Sequence, residues 1–105
     1  MRMLLRASIP VETGNAAIKA GTLGSTVETI LADLKPEAVY FFPDDSGLRS
    51  VSAVFDMQDQ SQIPAVAEPW FLAFNAKVSI RPVMSPQDFA KASTSLTRVV
   101  EHYAK

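Results

Sequence analysis

Met1-Arg2-Met3-Leu4-Leu5-Arg6-Ala7-Ser8-Ile9 is the stretch on which the fold turns. A strand alternates its side chains between two faces. Met3, Leu5, Ala7 and Ile9 therefore form one wholly apolar face, as in a strand packed on a core. Arg2, Leu4, Arg6 and Ser8 form the other, with two arginines astride a leucine. That second face is too apolar for plain solvent and too basic for a core. The strand reads as the centre of a sheet with one face covered and one kept for another use.

Downstream, Pro10 ends the strand. From Gly14 and Asn15 a helical stretch runs to about Lys35, strongest where Val27, Ile30, Leu31 and Leu34 recur at helical spacing. Gly21 and Gly24 weaken its first half by up to ~1 kcal/mol each relative to alanine, and mark a candidate break. Ala38 to Phe42 is β-prone, and Pro43-Asp44-Asp45-Ser46-Gly47 is turn chemistry. Arg49 to Met57 is then the return strand of a hairpin. A one-residue shift of register exchanges Tyr40 and Phe41 between faces, and the sequence leaves that choice open.

Asp59 to Asn75 is helical but interrupted. Pro64 suits a first turn, whereas Pro69 lacks a donor and clashes with the preceding turn. Two short helices meeting near Glu68-Pro69 are expected, the second carrying Trp70, Phe71, Leu72 and Phe74 and capped by Asn75. Lys77 to Met84 is the last strand, and Pro82 puts it at a sheet edge. Ser85-Pro86-Gln87-Asp88 supplies an N-cap, a proline at N1 and an acid at N3. Phe89, Ala92, Leu96, Val99, Val100 and Tyr103 then make one apolar stripe down a final helix. The order βαββαβ plus a C-terminal helix is the ferredoxin-like α+β arrangement, a four-stranded antiparallel sheet with helices on one face. Its usual strand order, 4-1-3-2, makes strand one central and strand four an edge.

The chain of 105 residues is one domain throughout, 1–105, and its 48% hydrophobic residues suffice for a modest core. Ten basic against eleven acidic residues leave a net charge of −1, so no global field attracts nucleic acid or an anionic membrane. The absence of cysteine excludes disulfides, thiolate zinc sites and cysteine nucleophiles. No stretch approaches the ~18–20 apolar residues of a membrane span, and Arg6 interrupts the one candidate signal core. The expectation is a cytoplasmic protein requiring neither metal nor cofactor.

The uncovered face carries the candidate site. In strand three, Val51, Ala53, Phe55 and Met57 take the core phase, leaving Ser50, Ser52, Val54 and Asp56 on the other side. Strand four adds Lys77, Ser79 and Arg81. With strands three and four flanking strand one, Arg2, Arg6, Lys77 and Arg81 share a surface. Arginine suits bidentate capture of a carboxylate or phosphate. The functional reading is an anion-binding patch. A solvated face, or intersubunit salt bridges to Glu68 or Asp56, are the structural alternatives. RNA-binding domains of this topology place aromatics on strands one and three, where this chain has Arg, Leu, Ser, Val and Asp.

Glu68 precedes a helix-breaking proline beside the sole tryptophan, and is a candidate acid or base as well as a candidate cap. His102, the sole histidine, is a candidate general base, or a surface cation near a helix C-terminus. Asp44 and Asp45 resemble a paired-carboxylate site, but a turn is their ordinary home.

Segment order, the mixed first strand and the C-terminal helix together resemble the dimeric α+β barrel superfamily. The segments Glu68-Pro69-Trp70-Phe71, Val78 to Met84 and Ser85-Pro86-Gln87-Asp88 are similar to those of a small bacterial family of unassigned function. The resemblance implies a homodimer whose bare sheet faces pack together around a cavity. It also implies a function drawn from cofactor-free monooxygenases, haem degraders, muconolactone isomerase-like enzymes and stress proteins without known activity. His102 stands in the wrong part of the chain for the haem degraders' ligand. On this reading Leu4, Val54 and either Tyr40 or Phe41 supply apolar wall, with Arg6 and Arg81 orienting an acidic group of a small organic ligand. Ser52 and Trp70 complete the candidate ligand contacts. The rivals are a cofactor-independent monooxygenase or isomerase using Glu68 or His102, and a non-catalytic interaction module.

Overall fold

Met3, Leu5, Ala7 and Ile9 are all buried on β1 (Arg2–Ile9) in the computed structural model, which describes residues 1–104. β1 pairs antiparallel with β3 (Arg49–Asp56) on one side and β4 (Lys77–Pro82) on the other. β2 (Ala38–Pro43) pairs with β3, giving the order β2-β3-β1-β4. This is the expected ferredoxin-like α+β sheet, with strand one central and Pro82 on an edge strand.

Three helices cover the apolar face: α1 (Val11–Lys19), α2 (Leu23–Leu34) and α3 (Ile63–Phe74). Ile30 of α2 and Trp70 and Phe74 of α3 join Leu5, Val51, Ala53 and Phe55 in one core. Each fully buried large side chain stabilises the domain by about 1.5–3 kcal/mol relative to exposure. The helical stretch read as 14–35 is in fact two helices. The chain breaks at Gly21, whose φ of 73° only glycine adopts without strain. α2 stops where Lys35 turns left-handed and its N–H bonds to the Leu31 carbonyl, ahead of Pro36.

The expected interruption at Glu68-Pro69 is corrected: α3 continues through Pro69, after a short 3-10 turn at Gln60–Gln62. Pro69 takes away the N–H that would reach the Ala65 carbonyl, yet burial of Ala67, Trp70 and Phe74 on the same helix outweighs that loss. Asn75 caps it in the left-handed region, as its sequence position suggested. Pro69→Ala restores the missing donor. It is expected to raise the urea midpoint by an amount worth about 1 kcal/mol, with an unchanged denaturant slope.

The final helix departs from expectation twice. It is divided at Ala92 into α4 (Pro86–Lys91) and α5 (Ser93–Tyr103), and its apolar stripe is not buried. Ser85 and Asp88 form the anticipated capping box, and Asp88 also receives Arg2 Nη1 at 3.1 Å, which moors α4 beside the uncovered sheet face. Beyond Ala92, α5 has its main contacts with α4 alone. The molecule is drawn out to 60 × 29 × 20 Å, with a radius of gyration of 17.5 Å; about 13 Å is usual for a compact chain near this length. No helix among the described residues is long and apolar enough to cross a membrane.

Candidate functional site

The strand register settles the composition of the uncovered face. Tyr40, Ser52, Arg6 and Ser79 lie in one cross-strand row. Ala38, Val54, Leu4 and Arg81 form the next, and Phe42, Ser50, Ser8 and Lys77 the row on the other side. Directly paired residues sit about 4.5–5.5 Å apart, so each row is a set of touching neighbours. Tyr40, not Phe41, belongs to this face, because Phe41 pairs with core-phase Val51. The surface thus combines apolar Leu4 and Val54, aromatic Tyr40 and Phe42, a band of serines, and the cations Arg6, Lys77 and Arg81.

The cations differ in what they bind. Arg2 is engaged twice, by Glu37 at 2.7 Å and Asp88 at 3.1 Å, which raises its pKa, chiefly through the Glu37 hydrogen bond. Among the described residues, Arg6, Lys77 and Arg81 take part in no ion pair, the remaining one joining the Met1 ammonium to Asp56. The Arg6 guanidinium instead lies over the Phe42 ring, 5.1 Å from its centroid. A cation on an aromatic face keeps its N–H edge free for a planar acceptor.

Arg6, Ser8, Lys77 and Ser79 line an open cavity of about 210 Å³ together with Asp44, Asp45 and Ser46 of the β2–β3 turn. Asp44 organises that turn, accepting the Ser46 and Leu48 N–H groups at 2.9 and 3.0 Å and the Ser8 hydroxyl at 2.8 Å. A turn is thus Asp44's home, as its sequence context suggests. The Leu48 N–H, then the Ser8 hydroxyl, hold its carboxyl below the ordinary aspartate range. Asp88 is likewise lowered, first by the Ser85 N–H and hydroxyl, with Arg2 contributing. Carboxyls with depressed folded values contribute stability above the ordinary aspartate pKa and lose it as pH falls through those depressed values. Acid titration followed by circular dichroism is therefore expected to show stability falling below about pH 4, with a shallower fall in Asp44→Asn.

Of the residues singled out from sequence, Arg6, Arg81, Leu4, Tyr40, Ser52 and Val54 come together on this face. Trp70 does not: it is 0% exposed in the core on the opposite side of the sheet. Glu68 is exposed on α3 in the covering helix layer, and His102 is exposed on α5, beside Tyr103. Neither lines the Arg6 cavity. Sequence reasoning passed over the entry of Asp44 and Asp45 into the site. The signal was the hairpin turn, which lays residues 44–46 over the end of the Ser8 row.

No family model and no curated protein matches the chain. Among solved structures it is similar to 5-chloro-2-hydroxyhydroquinone dehydrochlorinase from Burkholderia phenoliruptrix AC1100, in a complex with 2,5-dihydroxybenzoquinone. The TM-score is 0.61 at 12% identity, covering 83% of this chain and 97% of that one. The de novo designed protein Ferredog-Diesel aligns over 78% of this chain and 85% of its own, with a TM-score of 0.45 at 7% identity. The likeness to the dehydrochlorinase supports the ferredoxin-like α+β fold read from the strand order.

Proposed function

We propose that this chain forms a homodimer whose uncovered sheet faces meet, and that the enclosed space binds a small oxygen-rich organic acid. The observation that carries the reading is the contrast along β1: Arg2 is saturated by two carboxylates of its own chain, while Arg6 has none among the described residues. An arginine shielded by a second sheet needs an anionic partner, because an unpaired charge out of water is costly. A carboxylate or acidic hydroxyl fits the Arg6 edge, with Ser52 and Ser79 beside it in the same row. Asp45 and Lys77 at the cavity rim select ligand hydroxyl or amine donors and further acidic oxygens. Leu4, Val54 and Tyr40 supply the apolar wall.

The dehydrochlorinase's bound 2,5-dihydroxybenzoquinone is a molecule of this size and chemistry, which makes it a suitable first probe. With that compound and 4-hydroxybenzoate, a rise in melting temperature is expected for the wild type and its loss in Arg6→Ala and Arg81→Ala. The variants should remain dimers by sedimentation at micromolar concentration. A shift that persists in both variants refutes the anion role, and a monomer at those concentrations refutes the enclosed site.

A further inference from the structure

The C-terminal arm and a groove on the far side of the same chain have matching chemistry. On α5, Leu96, Val99, Val100 and Tyr103 recur at helical spacing and are all exposed, while Arg98 and Glu101 occupy the opposite side. A helix of 11 residues whose apolar stripe faces water gains nothing from forming alone. The groove, of about 450 Å³, is bounded by Phe41 and Pro43 of edge strand β2, Val27 of α2, and Ile9, Val51 and Trp70 of the core. Phe41 stands 65% exposed at its lip.

The arm does not occupy its own groove, which no residue of α4 or α5 lines. It leaves from β4, at one edge of the sheet, and the groove lies along β2, at the other. α4 is held by Arg2 on the uncovered face, and α5 follows it with its main contacts to α4. We infer that α5 docks its Leu96–Val99–Val100–Tyr103 stripe in the β2-edge groove of a second copy, which returns its own arm in exchange. Reciprocal exchange about a two-fold axis closes, so it makes a dimer and not a filament. An 11-residue helix is about 16 Å long. Laid in a groove it covers roughly 300 Å² on each surface, so two arms remove about 1,200 Å² in all, the lower bound of a specific interface. The sheet faces add to that figure.

The inference rests on the homodimer proposed above but concerns a different contact, and its test separates the two. The chain has no cysteine, so introduced pairs report without background. Phe41→Cys is combined on one chain with Leu96→Cys, Val99→Cys or Tyr103→Cys in turn, so that a shift of register along the groove still gives a link. Oxidation is expected to yield a covalent dimer whose peptide map joins the Phe41 site to at least one arm site. Arg6→Ala should leave that link intact. A link closed within one chain, at monomer mass, overturns the exchange. So does a dimer in sedimentation that gives no link at any of the three positions, an outcome that leaves the sheet-face contact standing. Monomer throughout overturns both. Deleting residues 92–105 should weaken the dimer at least tenfold; unchanged affinity contradicts the exchange.

Discussion

Trp70→Ala is expected to lower the unfolding free energy by about 3–5 kcal/mol, the largest loss of any single truncation in this chain. Trp70 is fully buried, packs against Phe74 with ring centroids 6.3 Å apart, and joins α3 to the core beneath β1 and β3. Removing the indole takes away its transfer energy and leaves a void that the β-sheet cannot close. Typical domains have only 5–15 kcal/mol in hand, so the variant should be partly unfolded at 37 °C. Trp70→Phe should cost far less. The indole Nε1 is buried without a hydrogen-bond partner, and the smaller ring removes that unsatisfied donor along with some volume. Urea titration of both variants checks the argument. A Trp70→Ala loss below about 1 kcal/mol would mean that the helix layer is held on the sheet by something other than this side chain.

Leu4→Glu is expected to have the largest effect on assembly. Leu4 lies between Val54 and Arg81 in its row, one row from Arg6. A glutamate there supplies within the chain the carboxylate that Arg6 and Arg81 lack. The isolated subunit should keep its melting temperature to within a few degrees, because the position is only partly covered. The dimer should weaken by a hundredfold or more, since two symmetry-related carboxylates and their arginines would have to be desolvated together. The response to 2,5-dihydroxybenzoquinone should vanish. Sedimentation equilibrium and a thermal shift read the two effects separately. A variant that dimerises normally would move the interface off this face.

The sheet was legible because alternation is a strong signal. The apolar phases of β1 and β3 fixed the covered face, and Pro82 fixed an edge. The hairpin register was not legible, since Tyr40 and Phe41 are both aromatic and both exposed at a sheet edge; only pairing with Ser52 and Val51 separates them. The continuity of α3 was misread because the local cost of Pro69 is visible in sequence, whereas the compensating burial of Trp70 and Phe74 is tertiary. Trp70 was counted among the candidate ligand contacts, but its helical phase turns it into the core.

The C-terminal stripe is a subtler case. Amphipathicity announces that a helix packs on something without saying that the partner belongs to the same chain. The Arg6 cluster was legible as a phase argument, and which arginine is already satisfied was not. Arg2 and Arg6 are indistinguishable in sequence; Glu37 and Asp88 reach only the first.

The central claim is that Arg6 binds a ligand acid within a sheet-to-sheet cavity. Its most direct test is a titration of isotope-labelled protein with 2,5-dihydroxybenzoquinone, followed by the side-chain Nε–H resonance of Arg6 and the indole N–H of Trp70. The expected result is a saturable shift at Arg6, with the Lys77 and Ser79 amides moving in step and the Trp70 indole still. A saturable shift at the Trp70 indole with Arg6 unmoved, or no shift at either at millimolar concentration, would contradict it.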